Sequence, residues 1–366
     1  MVRPFDISKF RKDVTKTIDG IEVGFNDPTD WVSTGNFLLN YRISGDFFKG
    51  IPLGKVTILA GESGAGKSYI ASGNVIKNAQ KQDIFVVLID SENSLDEQWL
   101  EKLGVDTSED KMLRLSMTMI DDVAKVITTF MKEYKDLKEE EKNKVLFVID
   151  SLGSLLSPTE VAQFESGDMK GDMGRKAKQL RALVLNCINL FGNQNVGMIC
   201  TNHTYQSQDM FDPDDKVSGG SGPIYAASVV VAMKKTKLKH DNEGKKTSKV
   251  HGIKTKCKIM KTRFTQPFQE ATLLIPYETG MDPYSGLIGV DAQNKGFFEE
   301  LGIIEREGNR LSYTTNSGEK ISEFRKDWTP ELLDMVMKEY ADNIKNKKSV
   351  NNIDLSPDES EEEIGE

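Results

Sequence analysis

The octapeptide GESGAGKS, Gly61 to Ser68, restricts this chain to few folds. It matches the pattern G-x-x-x-x-G-K-[ST], which works only when a strand leads into it and a helix leads out. Both are expected here. "VTILA" (Val56 to Ala60) precedes it as a short β-branched run, and "SYIASGNVIKNAQK" follows as a helical stretch. Glycines let backbone N–H groups curl around a phosphate, and the helix N-terminus adds the positive end of its dipole. The cradle is expected from Gly61, Glu62, Ser63, Gly64, Ala65 and Gly66, with Tyr69 just inside the helix. Lys67 would reach the β- and γ-phosphates and Ser68 would ligate Mg²⁺. The implied ligands are ATP and Mg²⁺.

Five further short apolar runs recur: Ile84 to Asp90, Val145 to Asp150, Val196 to Thr201, Val229 to Met233 and Ala271 to Ile275. They are continuous rather than alternating, as in strands buried on both faces. Helical patterns separate the first four runs of the chain. Val123, Val126, Ile127, Phe130, Met131 and Tyr134 follow one helical stripe, with Asp121 or Asp122 as N-cap. Ala177, Leu180, Val184, Ile188 and Phe191 mark another, with Arg175, Lys176, Lys178 and Arg181 near its start. Strands alternating with helices predict an α/β fold on a mainly parallel twisted sheet. The last strands lack intervening helices, so an antiparallel extension is expected. From about Gly289 the segments turn short and polar, and "TPELLDMVMKEYADNI" reads as a helix capped at Thr329 with Pro330 at its first position.

The chain has no apolar run near the length of a membrane span and no apolar core of a signal peptide at its start. Three cysteines, Cys187, Cys200 and Cys257, without C-x-x-C spacing read as small buried hydrophobes in a reducing compartment. A cytoplasmic protein is expected. The net charge of −9 is uneven. The last thirteen residues hold seven acids and no base, while the span from Lys234 to Arg263 holds twelve Lys or Arg against two acids. The chain is therefore a nearly neutral body with a basic segment and an acidic tail.

A phosphate-binding turn needs an acid on a neighbouring strand. "VLFVID" supplies Asp150, positioned to hold Mg²⁺ through water. Hydrolysis also needs a group to orient the attacking water. "LIDSEN" offers Asp90 and Glu92 at the C-terminal end of another strand, the edge where parallel sheets bind ligands.

With these residues in hand, the chain resembles the RecA family of recombinases, most of all the phage UvsX type, from about Trp31 to Ile344. "WVSTGNFLLNYRISGDFFKGIPLGKVTILAGESGAGKS" resembles the family's first strands and phosphate loop, and "IDSENSLDEQWLEKLGVD" its catalytic segment. The resemblance implies Glu92 as catalytic glutamate, and Trp99 stacked on adenine with Asp96 nearby. "DSLGSLLSPTEVAQFESGDMKGDMGRKAKQLR" implies a first DNA-binding loop at about 157–172, followed by Arg175, Lys176 and Lys178 against a phosphate backbone. "ICTNH" implies that His203 senses the γ-phosphate and opens a second DNA-binding loop, about 204–222. Tyr205 and Phe211 would stack on bases there, and Gly219, Gly220 and Gly222 would allow close backbone approach. The acidic tip of that loop, "DPDD", does not suit direct phosphate contact. "CKIMKTRFTQPF" implies Lys261 and Arg263 as cations that reach a neighbouring subunit's nucleotide.

The implied architecture is a RecA-like P-loop ATPase core (31–288) carrying both loops. Flanking it are an N-terminal oligomerisation arm (1–30), a small C-terminal subdomain (289–345) and a disordered acidic tail (346–366). Within the arm, "IEVGF" offers Val23 or Phe25 as an apolar anchor. The implied function is DNA-dependent ATP hydrolysis and strand exchange by a helical filament of this chain on single-stranded DNA, paired with homologous duplex. A mediator and a single-strand binding protein are implied as partners. A ring helicase on the same core, or a nucleotide-gated DNA-binding scaffold without turnover, are the alternatives.

Overall fold

The structure is a computed structural model, and it describes residues 6–17, 25–167, 174–205, 216–218, 220, 222–239, 247–290 and 294–351. Side chains of residue 216 and of residues 347–351 are outside that description.

Fourteen strands are seen among the described residues. β1 (Trp31–Val32) and β2 (Ile51–Pro52) pair with each other. The main sheet is built from β3 (Val56–Gly61), β4 (Phe85–Asp90), β5 (Met112–Ser116), β6 (Val145–Asp150), β7 (Val196–Tyr205), β8 (Lys216–Val217), β9 (Val229–Leu238), β10 (Gly252–Lys261) and β11 (Glu270–Pro276). Its order is β11-β10-β9-β3-β7-β6-β4-β5, with β8 attached to β7. The six strands from β9 to β5 run parallel, and β10 and β11 extend the sheet antiparallel. A separate meander of β12 (Glu305–Glu307), β13 (Arg310–Thr314) and β14 (Lys320–Phe324) follows.

The continuous apolar runs have the expected cause. Along β6, Leu146 and Val148 enter one core while Val145, Phe147 and Ile149 enter the other, so both faces of the sheet are covered. The edge strand β5 has no such run. Met112 is buried but Leu113 is 46% exposed, because one flank of the strand has no partner among the described residues. That is why its sequence carries no strand signal.

Two local expectations are corrected. The helix over Ile120–Asp136 is capped by Met119, not by Asp121 or Asp122, which lie in its first turn. Ile120 N–H donates to the Leu156 carbonyl at 3.0 Å, so pairing with a neighbouring segment sets the start. The two aspartates instead face the positive end of the helix dipole. The first half of the 157–172 stretch is helix rather than loop. Ser157 and Glu160 form a capping box around Pro158–Ser166, and Gly167 ends it in a left-handed turn at φ 69°. Residues 168–172 lie outside the described residues. The helix after the phosphate loop also opens unusually, as a π-helix over Tyr69–Val75 before α-geometry at Ile76–Gln80.

The C-terminal segment is held together internally by a buried ion pair and docks on the core through aromatic packing. Glu299 is 8% exposed and accepts two bonds from Arg325 (2.8 and 2.9 Å) and one each from the Gly289 and Gly296 N–H groups. Beside it, Tyr41, Phe47, Phe297, Phe298 and Tyr340 form one ring cluster joining the helix Phe37–Ser44 to the helix Pro330–Asn351. Phe298 is fully buried. Phe298→Ala is expected to lower stability by about 3–5 kcal/mol, read as a shift in the urea midpoint at constant slope.

Candidate nucleotide site and DNA-facing edge

β3 lies between β7 and β9, and its last residue, Gly61, begins the phosphate loop. A Cβ at Gly61 would sit 2.3 Å from the Met233 carbonyl oxygen, so packing against β9 requires glycine. Gly64 and Gly66 take φ values of 71° and 90°, which side-chain-bearing residues resist. These turns make a cradle of the kind that wraps a phosphate. Lys67 is 5% exposed and donates to the carbonyls of Gly61 and Glu62, both at 2.9 Å. Burial lowers its pKa, opposed chiefly by Asp150 and Glu92. A buried cation among outward-bending glycines, with a carboxylate across from it, fits a Mg²⁺-bound nucleoside triphosphate. Tyr69 faces away from this cradle, its hydroxyl accepting from Met281 N–H at 3.1 Å.

Three carboxylates gather at the C-terminal ends of β4 and β6, and their surroundings separate them. Asp90 is fully buried and accepts from Arg114 (2.8 Å) and from the N–H groups of Ser94 and Leu95. It is committed to holding the loop after β4. Asp150 accepts from Ser72 Oγ at 3.0 Å and from Thr201 Oγ1. Glu92 is 30% exposed and accepts from Ser151 Oγ (2.6 Å), Ser154 Oγ (2.8 Å) and His203 Nε2 (2.7 Å). Partial burial of Glu92 opposes its charged form, but the bonds from Ser151, His203 and Ser154 prevail and hold its pKa below the ordinary value. Of the two acids the sequence leaves open, Glu92 is therefore the one that stays partly exposed and meets His203.

His203 owes its place to sheet register, for it is the direct partner of Gly61 across the β3–β7 pair. Its neighbours tie it to the long stretch that follows. Ser218 N–H donates to the His203 carbonyl at 2.8 Å, and Asn202 Nδ2 donates to the Ser218 carbonyl at 2.9 Å. Gly153 permits this, since a Cβ there would lie 2.4 Å from Asn202 Oδ1. The hydroxyls of Ser72, Ser151, Ser154 and Thr201 escaped the sequence reading. Only Ser151 and Ser154 carried a signal, through their position just after the β6 aspartate.

The remaining expected residues are distributed unevenly. Asp96 caps the helix Glu97–Lys102 by accepting from Trp99 N–H at 2.9 Å, and Trp99 is half-buried against the core. Both belong to that helix and its cap rather than to the phosphate loop. The basic helix Arg175–Phe191 starts at Gly174 in left-handed geometry, with Arg175 and Lys178 exposed. Lys176 pairs with Glu160 at 3.3 Å. Gly220 is left-handed at φ 78°, and Gly222 opens a short helix where a Cβ would press on the Arg181 stem at 3.0 Å. Tyr205 is 57% exposed at the end of β7. Phe211, Gly219, the acidic tip, Val23 and the tail from residue 352 on lie outside the described residues, whereas residues 346–351, expected as disordered tail, continue the helix Pro330–Asn351, and Phe25 is almost fully exposed.

Lys261 and Arg263 stand at the sheet edge opposite the phosphate loop. β10 runs antiparallel to β9, so its first residue pairs with Leu238 and its last, Lys261, with Val230 at the start of β9. Lys261 donates to the Tyr225 carbonyl. Burial lowers the Lys261 pKa, with Arg263 adding to it. The pair cannot serve this chain's own loop.

The RecA N-terminal domain profile matches residues 19–282. The chain belongs to the RecA family. Among its relatives, the recombination and repair protein of phage T4 is 27% identical over 310 residues, covering 83% of this chain and 73% of the relative. Thermus aquaticus RecA is 27% identical over 314 residues, covering 84% and 83% respectively. Streptomyces rimosus RecA is 27% identical over 320 residues, covering 87% and 78%. The matched span contains Gly61–Ser68 and the register partner His203 together.

Two measurements test the division of labour among the acids. Asp90→Asn removes the buried partner of Arg114 and is expected to cost about 3 kcal/mol of stability, seen in chemical denaturation. Glu92→Gln acts through pH instead. A carboxylate with a lowered folded-state pKa stabilises the fold above its unfolded pKa, and that contribution is lost as pH falls through the folded value. The decline in stability from neutral to acid pH is therefore expected to be shallower in Glu92→Gln than in the unmodified protein.

Proposed function

We propose that this chain is an ATP-dependent recombinase that polymerises on single-stranded DNA, hydrolyses ATP at subunit interfaces and pairs the bound strand with homologous duplex. The observation that carries this reading is the chain of contacts from Glu92 to His203 to Ser218. It joins a water-orienting acid, a polar residue beside the phosphate loop, and the far end of the 204–222 stretch. The names of the phage T4 and RecA relatives support recombination over the ring-helicase and scaffold alternatives.

In this mechanism Lys67 leaves the Gly61 and Glu62 carbonyls for phosphate oxygens. Ser68 and Asp150 would hold Mg²⁺, which would neutralise phosphate charge. Ser72 and Thr201 donate to the two Asp150 carboxylate oxygens and so fix its orientation. Glu92, released from His203 by the γ-phosphate, orients the attacking water. His203 then reports phosphate state to the 204–222 loop, a population shift driven by differential contacts. Lys261 and Arg263 complete the next subunit's site, where such cations raise rates by about 10³–10⁵ in other P-loop enzymes. DNA is held by backbone charge and stacking, from Arg175, Lys178 and Tyr205, and homology is read by base pairing. The arm, core, subdomain and tail divisions follow the same reading. The acidic tail suits docking of a mediator or single-strand binding protein.

The direct test is ATP hydrolysis with and without single-stranded DNA at two salt concentrations, with Lys67→Ala as control. Strong stimulation, weakened by salt and absent in the control, is expected; a rate indifferent to DNA overturns the reading. His203→Ala is expected to bind ATP yet lose DNA stimulation. Mixing Lys261→Ala with Glu92→Gln protein should restore turnover that neither has alone, because one supplies the acid and the other the cation at a shared interface.

A further inference from the structure

The antiparallel extension grips the phosphate loop from behind. Lys235 on β9 and Thr255 on β10 are direct cross-strand partners, so their side chains share one face of the sheet. Both reach carbonyls of the loop. Lys235 Nζ donates to the Ser63 carbonyl at 2.5 Å, and Thr255 Oγ1 donates to the Ala65 carbonyl at 3.0 Å. Lys235 makes a second contact through its backbone, N–H to Glu62 Oε1 at 2.9 Å. The fit is close. A Cβ at Gly64 would lie 2.9 Å from Lys235 Nζ, and one at Gly66 would lie 3.0 Å from Ile275 and 3.8 Å from Thr255 Oγ1. Thr255 is fully buried, whereas Lys235 is exposed.

We propose that Lys235 and Thr255 form a positioning clamp that fixes the phosphate loop in its ATP-binding shape. This rests on the reading of Gly61–Ser68 as the ATP site. A glycine-rich loop has many conformations, and ordering it on binding costs affinity. Its carbonyls at Ser63 and Ala65 are the handles on the side away from the phosphate. Holding two alternate carbonyls removes much of the loop's freedom in advance. A cation bonded to the Ser63 carbonyl also polarises that peptide, and its N–H partner at Gly64 becomes a stronger donor. Neither side chain touches the reacting atoms, so both act through the loop.

Equilibrium titration with a fluorescent ATP analogue, without DNA, reads the clamp directly. Lys235→Met and Thr255→Val are each expected to weaken binding by about three- to tenfold, with a matching rise in KM for ATP and a smaller change in kcat. The double variant should lose less than the product of the two, because both act on one loop. Lys235→Arg and Thr255→Ser should restore most of the affinity. Unchanged affinity in Lys235→Met and Thr255→Val overturns the clamp. So does a loss that tracks a lowered melting temperature of the nucleotide-free protein and is not rescued by the conservative variants. Failure of the unmodified protein to bind the analogue, or binding by Lys67→Ala at full strength, overturns the ATP site itself.

Discussion

Gly61 pairs with His203 on one side and Met233 on the other, and nearly everything about this site depends on that central placement of β3. Parallel pairing to β7 sets a polar side chain beside the first residue of the phosphate loop. Parallel pairing to β9 sets a backbone so close that only glycine fits. A one-residue slip of β3 would exchange its side chains between the two packed cores and would part Gly61 from both His203 and Met233. The geometry of the site is therefore as rigid as the core beneath it.

β10 gives that rigidity a second use. Near one end, Thr255 touches this chain's own phosphate loop; at the other, Lys261 and Arg263 occupy the opposite sheet edge. A single strand thus spans the distance between the site it braces and the surface where its cations lie. In a filament such a strand would be shared by consecutive nucleotide sites. The bulge between Ile259 and Lys261 bends its far end out of regular pairing.

The three acids show how surroundings assign roles to one chemical group. Asp90 meets a guanidinium and two backbone N–H groups and becomes part of the scaffold. Asp150 meets two hydroxyls, which orient it without neutralising it. Glu92 meets two hydroxyls and an imidazole, partners that can be exchanged as the state of the site changes. The C-terminal segment uses the same chemistry for its own internal order: Glu299 is enclosed by Arg325 and two backbone N–H groups.

Local pattern made much of this legible in advance. The loop from Gly61 to Ser68, the apolar runs of β3, β4, β6 and β7 and the stripe of the helix Ile120–Asp136 follow from steric rules that act over a few residues. The family resemblance added His203, Lys261 and Arg263, whose residue types alone say little. The sequence left Asp90 and Glu92 equivalent, because both end the same apolar run; Arg114, twenty-four residues away and on the next strand, decides between them. It also did not reveal the 158–166 helix, although Ser157, Pro158 and Glu160 carried its capping signal. Lys235 and Thr255 were two ordinary members of a basic segment until strand pairing set them opposite each other. Sequence alone thus determined the central parallel strands and the glycine-rich turn after β3, since both depend on local backbone preference and burial period. Tertiary structure decided what surrounds each of several similar side chains, because that depends on neighbours that are distant along the chain.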